Sequence, residues 1–337
     1  MPLSISDRAA ELISRTICWD NHACMPLRTG DTSFLSQLER VRKAGVSLIS
    51  LNVSFDAVDP RNAFPQLATF RHWIRQHADR YVLAEGVADI EQAKKSGRLA
   101  VMFDIEGGNA VAEHPGLVEI FYRIGVRWML LAYNRNNRLG GGCMDDDRGL
   151  TAYGRQIIDE MQQVGMVLCC SHAGHRTALE AIEYSRNPVI FSHSNPSAIH
   201  PHARNIPDEL MIACARRGGV VNINGVGIFL GENAQGKPDN STETLLRHID
   251  YTANLIGPEH VGLGLDYVFD PSELQEYLRK DSTRFPAQMG NANAYTQVEP
   301  ERFPAIADRL LQMGYAEMDV QGILGHNNLR IARTIWR

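Results

Sequence analysis

The 337-residue chain contains no apolar run approaching the roughly 20 residues that span a bilayer, so no membrane segment is expected. Its start, "MPLSISDRAAELISRTI", lacks the basic opening, apolar centre and small-residue cleavage site of a secretory leader. Neither sign of charge is gathered into a block: 34 Lys+Arg stand against 39 Asp+Glu, for a net charge of -5, and no electrostatic footprint for nucleic acid results. The six cysteines lie mostly inside apolar runs and without metal-finger spacing, which predicts reduced thiols and a cytoplasmic protein. No low-complexity linker divides the chain, and no G-x-G-x-x-G follows the first apolar run, which removes the main signature of a doubly wound dinucleotide fold. A small-molecule partner is the expectation that survives.

What the chain does have is a repeating unit, in which short apolar runs alternate with amphipathic segments of helical period. The runs are Thr16–His22, Val46–Ser54, Leu99–Gly107, Val126–Asn134, Met166–His172, Pro188–Ser194, Gly219–Gly225 and His260–Val268. Helices are predicted at Ser33–Ala44, Phe64–Ala78, Gly154–Val164, Arg176–Tyr184, Pro207–Arg217 and Thr242–Leu255, the last opening after the N-cap cluster "NST". Eight strand–helix repeats argue for an α/β fold of the (β/α)₈ TIM-barrel type, a single domain over 1–337. Residues 271–337 then form a C-terminal helical extension packed on the barrel, with helices at Glu301–Met313 and Ala316–Thr334.

In such a barrel the active site lies at the C-terminal ends of the strands, so a polar residue that finishes an apolar run carries weight. The first run ends in His22 and Cys24, the third in Glu106, the fourth in Tyr133, the fifth in His172, the sixth in His193 and the eighth in Asp266. Side chains two apart on a strand share a face, so His22 and Cys24 can both enter the barrel mouth while Ala23 faces the helices; Asp104 and Glu106 share a side in the same way. Imidazole, thiolate and carboxylate are all zinc ligands, and a carboxylate can bridge two ions. A ring of His22, Cys24, Glu106, His172 and His193 predicts one or two zinc ions. A single strand-end histidine is usually a hydrogen-bonded structural residue, and Cys24 taken alone fits an ordinary buried thiol equally well. The adjacent Cys169 and Cys170 should point to opposite faces of their strand, "CMDDDRG" (Cys143–Gly149) reads as a solvated acidic turn, and His200 and His202 as loop residues.

Several stretches carry a family resemblance: "FDIEGGNAV", "LAYNRNN", "GLTAYGRQIIDEMQQVGMVLCCSHAG", "PVIFSHSNPSAIHPHARNIPDELM", "GGVVNINGVGIF", "IGPEHVGLGLDY" and "ILGHNNLRI". From about Asp20 to the C-terminus the chain resembles the membrane (renal) dipeptidase family, zinc peptidases of the M19 type on a (β/α)₈ barrel of the metal-dependent hydrolase kind. The resemblance implies that Glu106 bridges two metals, that His22 holds the first and that His172 and His193 hold the second. It implies that Arg204 clamps the substrate carboxylate and that Asp266 lies beside the attacking water. Two positions depart from the pattern: Cys24 stands where the family has an aspartate ligand, and Tyr133 where it has a histidine that touches the scissile carbonyl. Tyr133 can donate a hydrogen bond to an oxyanion but cannot carry histidine's positive charge, and simple packing over the pocket is the competing reading. The implied activity is metal-dependent hydrolysis of a dipeptide or similar small amide with a free carboxylate. Hydrolysis of another C–N bond and a non-catalytic ligand-binding relative are the alternatives, and the family implies a homodimer.

Overall fold

The computed structural model describes residues 5–280 and 295–337. Ten parallel strands form one sheet: β1 (Cys18–Cys24), β2 (Val46–Phe55), β3 (Tyr81–Leu83), β4 (Leu99–Glu106), β5 (Val126–Leu130), β6 (Val167–Cys169), β7 (Ile190–Phe191), β8 (Val220–Ile223), β9 (Val261–Leu263) and β10 (Tyr267–Val268). β9 pairs with β8, while β10, four residues further along the same run, pairs with β1. That shared run closes the ring, so the expected (β/α)₈ barrel is what the chain forms, with β9 and β10 together as the eighth stave. β3 pairs with the start of β4 at Leu99–Val101, below the point where β5 joins at Phe103–Ile105. This short extra strand was not anticipated, because three residues give too little periodicity to separate a strand from a helix end.

Every barrel strand is buried on both faces, as parallel strands sheathed by helices must be, and their sequences therefore read as near-continuous apolar runs. One apolar layer lies between the sheet and the helices, including Leu51, Phe103, Met129 and Cys170. A second fills the lower barrel interior with Trp19, Leu48, Met102, Trp128 and Cys169, closed below by Leu329, Ile335 and Trp336. Cys169 and Cys170 fall in different layers, as strand alternation requires. Above the inner apolar layer the interior turns polar, with Ser50, Asn52, Asp104, Ser192 and Asn222 all buried.

The predicted helices appear within a few residues of their expected ends: Ala63–Gln76, Ala152–Val164, His175–Tyr184, Asp208–Arg216 and Thr242–Ile256. Ser241 caps the last of these by accepting from the Thr244 backbone N–H at 3.2 Å. The segment expected as Ser33–Ala44 splits into a 3₁₀ turn, Leu35–Gln37, and the α-helix Leu38–Lys43. Ala316–Thr334 is not one helix but two, Glu317–Gln321 and Asn327–Ile335, joined by a wider turn at Gly322–His326. The break has a steric cause: a Cβ on Gly325 would come within 2.3 Å of the Ile17 carbonyl oxygen, so the chain passes hard against β1 there. No described helix is long and apolar enough to cross a membrane.

Candidate metal centre and pocket

His22 and Cys24 leave the top of β1 side by side, with Cys24 Sγ 3.5 Å from His22 Nε2. Across the barrel mouth, β4 ends in Glu106, whose Oε1 is 3.5 Å from His22 Nε2 and 3.3 Å from both His172 Nε2 and His193 Nε2. The two last nitrogens are 2.9 Å apart. Asp266 Oδ1 completes the group at 3.5 Å from His22 Nε2 and 3.8 Å from Cys24 Sγ. The five ring residues expected from the sequence are thus brought together, and Asp266 with them.

The surroundings fix which atom each ligand presents. His172 Nδ1 is 2.7 Å from Asn134 Oδ1, and His193 Nδ1 is 2.8 Å from Ser192 Oγ. With Nδ1–H donating to these acceptors, both Nε2 lone pairs face inward. His22 Nδ1 lies 3.3 Å from Asp104 Oδ1, the carboxylate–histidine arrangement that orients a metal-binding imidazole. Asp104 in turn accepts from Ser50 Oγ at 2.5 Å and Asn52 Nδ2 at 3.2 Å, and Asn52 Nδ2 also reaches Glu106 Oε2 at 3.2 Å. Asn224 Nδ2 holds Asp266 Oδ2 at 2.9 Å. These supporting amides were not found by sequence reasoning; only the placement of Asp104 on the side of Glu106 was.

Backbone conformation concentrates here too. The non-glycine residues with positive φ among the described residues are Asn134 (φ 60), His172 (φ 61) and Asp266 (φ 57). Left-handed backbone is costly for such residues and gathers at functional sites, where it re-aims a side chain at the end of a strand. Asp56 ties the neighbouring loops together, accepting from Asn109 N at 2.9 Å, Tyr133 N at 3.3 Å and Asn137 Nδ2 at 2.8 Å. Gly107 is required beside it, since its φ is +123 and a Cβ would sit 2.2 Å from the Asp56 carboxyl carbon.

The electrostatics fit a cation. Glu106 Oε1 is buried and accepts no hydrogen bond, although three ring nitrogens converge on it. Burial pushes the Glu106 carboxyl up to about 8, with Asp266 and Asp104 adding to the shift. Burial also lowers His172 and His193 well below the usual imidazole range, so both stay neutral. Two neutral imidazoles with facing lone pairs at 2.9 Å repel unless a cation or proton lies between them. Burial pulls His22 down, but Glu106, Asp104 and Cys24 outweigh it and hold this ring protonated well above its ordinary value. Burial pushes the Cys24 thiol up to about 12, so a cation is needed to draw off its proton. Nitrogen, sulfur and carboxylate atoms within 4.8 Å of one another form overlapping triads: Glu106–His172–His193, His22–Cys24–Glu106 and His22–His193–Asp266. This donor set suits one or two borderline metal ions such as zinc.

Beside the cluster opens a cavity of about 120 Å³ lined by Cys24, Glu106, His172, Asp266 and a largely apolar wall. Tyr133 stacks on the His172 ring, centroids 4.1 Å apart, and burial keeps its hydroxyl protonated. Arg204, in the segment after β7 and expected from the resemblance to clamp the substrate carboxylate, is only 2 % exposed. Its guanidinium lies over the Phe229 ring at 5.5 Å and donates to the His193 carbonyl at 3.3 Å, while its Nε has no partner. Asp270 and Glu273 line the cavity and lie 2.9 Å and 3.5 Å from Arg28 NH1, and Arg28 Nε also pairs with Asp31 at 2.9 Å. Tyr295, which no sequence pattern singles out, lines the cavity next to Asp266. The acidic turn at 143–149 exposes Asp146 and Arg148 to solvent as expected, but Asp147 accepts from Thr177 N at 2.8 Å and Oγ1 at 2.6 Å and so anchors the helix that follows His172.

A model of the membrane dipeptidase family (peptidase family M19) matches residues 6–287. Dipeptidase tcpJ of Claviceps purpurea is 27 % identical over 279 residues, which are 82 % of this chain and 60 % of the fungal protein. A protein encoded in the pqqA 5′ region of Klebsiella pneumoniae is 28 % identical over 279 residues, 81 % of this chain and 95 % of its own length. The chain thus spans about three fifths of one of these relatives and nearly all of the other. Among solved structures, an amidohydrolase from Pseudomonas aeruginosa superposes with a TM-score of 0.88 at 27 % identity, covering 97 % of this chain and 99 % of that one. A metallo peptidase from Rhodobacter sphaeroides, liganded with a phosphinate mimic of the dipeptide L-Ala-D-Ala, shares the fold with a TM-score of 0.76 at 19 % identity, covering 95 % of this chain and all of its own. With the family model spanning most of the barrel, the chain belongs to the membrane dipeptidase family, whose M19 metallopeptidases are metal-dependent.

Proposed function

We propose that the protein is a zinc-dependent hydrolase of dipeptides or similar small amides with a free carboxylate. The observation that carries this reading is the convergence of three imidazole Nε2 atoms on one unpartnered, buried carboxylate oxygen of Glu106. His172, His193 and Glu106 would hold one ion, and His22, Cys24 and Glu106 a second. When bound, such ions act as Lewis acids and make water a nucleophile at neutral pH.

The chain's own groups supply the remaining steps. Asp266, held by Asn224 on Oδ2 and presenting Oδ1 to the rim of the cluster, accepts the proton of the attacking water and returns it to the leaving amine. The Tyr133 hydroxyl, protonated at all working pH values, donates to the developing oxyanion. Arg204, a buried cation with no carboxylate partner among the described residues, takes the substrate carboxylate. In the cavity wall, Asp270 and Glu273 share with Asp31 the single guanidinium of Arg28, an excess of negative charge suited to the α-ammonium group of a dipeptide. The relative from Rhodobacter sphaeroides, with a dipeptide mimic bound, supports the same substrate class.

The purified protein is expected to contain zinc, to hydrolyse dipeptides, and to lose both properties on dialysis against a chelator, with activity restored by zinc or cobalt. A metal-loaded protein that turns over no member of a broad dipeptide panel overturns the assignment. Cys24 gives a second, spectroscopic expectation. The cobalt-substituted protein should show a thiolate-to-metal charge-transfer band in the near ultraviolet, absent from Cys24→Ser, together with a zinc content lowered in that variant. Equal zinc content and unchanged spectra in the two proteins would remove Cys24 from the ligand set.

A further inference from the structure

We infer that the pocket selects substrates whose acyl-side residue, the one contributing the scissile carbonyl, carries a bulky apolar side chain, and that Leu274, Tyr277 and Leu278 determine this preference. The inference rests on the proposed role of Arg204 as carboxylate clamp.

The first step is the position of the clamp on the ring. Around the barrel the staves follow the order β1, β2, β4, β5, β6, β7, β8 and β9–β10. Arg204 lies in the segment after β7 and leans on Phe229, which follows β8. β7 lies four steps round the eight-stave ring from β2, with three staves between them on either side, so the end of β2 is diametrically across the mouth. A dipeptide whose terminal carboxylate meets Arg204, and whose amide lies at the cluster around Glu106, extends its acyl-side residue towards the ends of β10, β1 and β2.

The wall found there is apolar. Phe55 closes β2, Met25 and Leu27 follow β1, and the helix Pro271–Lys280 follows β10 and presents Leu274, Tyr277 and Leu278 to the cavity. These three share one helix face at i, i+3 and i+4 spacing. In a helix packed on a core such a stripe is fully buried, as it is in Thr242–Ile256, where Leu245, Ile249 and Thr252 are 0 % exposed. Pro271–Lys280 buries no residue fully, and its stripe is only partly buried, with all three side chains lining the cavity. Tyr277 meets Phe55 edge-on with centroids 5.2 Å apart, which joins the helix to the end of β2. Glu273 accepts from the Leu27 backbone N–H at 3.1 Å, which joins it to the end of β1. The roof is therefore anchored at both sides over an apolar recess that a substrate side chain would complete.

The test uses the full-length, zinc-loaded protein and compares kcat/KM for Gly-Gly, Phe-Gly, Leu-Gly and Gly-Phe. Phe-Gly and Leu-Gly should exceed Gly-Gly by about 10- to 100-fold, while Gly-Phe gains less than about threefold. In Leu274→Asp and in Leu278→Asp the Phe-Gly to Gly-Gly ratio should fall by about tenfold or more, a comparison made within one enzyme and so independent of how much protein folds. A milder variant, Tyr277→Ala, should lower the same ratio in the same direction. A flat acyl-side series, or a preference for Gly-Phe, overturns this inference and leaves the dipeptidase reading standing. Absence of turnover with every dipeptide overturns both.

Discussion

Glu106→Gln is expected to retain the fold, to hold less than about a tenth of the wild-type metal, and to lower kcat/KM by about 10³-fold or more. The reason lies in what faces the two carboxylate oxygens. Oε2 is already satisfied by Asn52, whereas Oε1 meets only imidazole nitrogens, two of which present lone pairs. A glutamine amide keeps the shape of the side chain and can turn its NH₂ towards those lone pairs. The metal-free site is then better paired than in the wild type, and the negative charge that would link two cations is gone. Thermal unfolding with and without zinc checks this directly. Zinc should raise the melting temperature of the wild type by mass action, since it binds the native state, and leave the variant unmoved. The metal-free variant should melt no lower than the metal-free wild type, because it no longer buries a carboxyl group whose pKa burial has pushed up to about 8. A variant that keeps its metal stoichiometry and its zinc-dependent shift would show that Glu106 is not the shared ligand.

That Glu106 could be singled out from the sequence follows from the physics of barrels. A parallel strand buried on both faces seldom holds a charged residue, so the two carboxylates of "LAVMFDIE", Asp104 and the terminal Glu106, stand out against their run, and the second stands at its exit. The same contrast exposes His22, His172 and His193, each of which finishes its own apolar run. What could not be read are the groups that aim these ligands. Asn52, Asn134 and Asn224 are uncharged and carry no periodic signature, and each matters only through an atom on a strand or loop far away in the chain: Asn52 through Glu106, Asn134 through His172, Asn224 through Asp266.

The fold shows the same division between local and non-local information. The run His260–Val268 reads as one strand, yet it is two short ones, β9 and β10, with Gly264–Asp266 between them. The interruption comes from elsewhere in the chain. A Cβ at Gly264 would sit 2.0 Å from the Ser192 carbonyl oxygen just after β7, two staves away, and the Leu265 N–H turns to Asp20 Oδ1 at 2.8 Å. Asp20 is itself pushed up to about 7 by burial, beneath the cluster. The helix Pro271–Lys280 was not separated from the 271–337 extension by sequence, and that its apolar stripe lines a cavity depends on Phe55 and Leu27, far away in the chain.

Asp266→Asn separates proton transfer from metal binding, and is expected to lower kcat by about 10²- to 10⁴-fold while metal content and KM change by less than about threefold. Asn224 Nδ2 donates to Asp266 Oδ2, and the break between β9 and β10, with φ 57 at this residue, swings Oδ1 to the rim of the cluster, where Cys24 Sγ donates to it at 3.8 Å. An asparagine can present its carbonyl oxygen to Asn224 and keep that geometry, but its NH₂ in place of Oδ1 cannot take a proton from water. The metal should stay, because the triad Glu106–His172–His193 does not include Asp266, and His22–Cys24–Glu106 does not either. The substrate should still bind, because Arg204 and the apolar roof are untouched. Replacing the carboxylate also removes one of the charges that lift Glu106, so metal affinity is not expected to fall through that neighbour. Metal analysis alongside steady-state kinetics decides the matter. Loss of an equivalent of metal in Asp266→Asn would make Asp266 a ligand, in keeping with the third triad, His22–His193–Asp266, and the proton would then need another carrier. Retained metal with unchanged kcat would leave Asp266 outside the chemistry altogether.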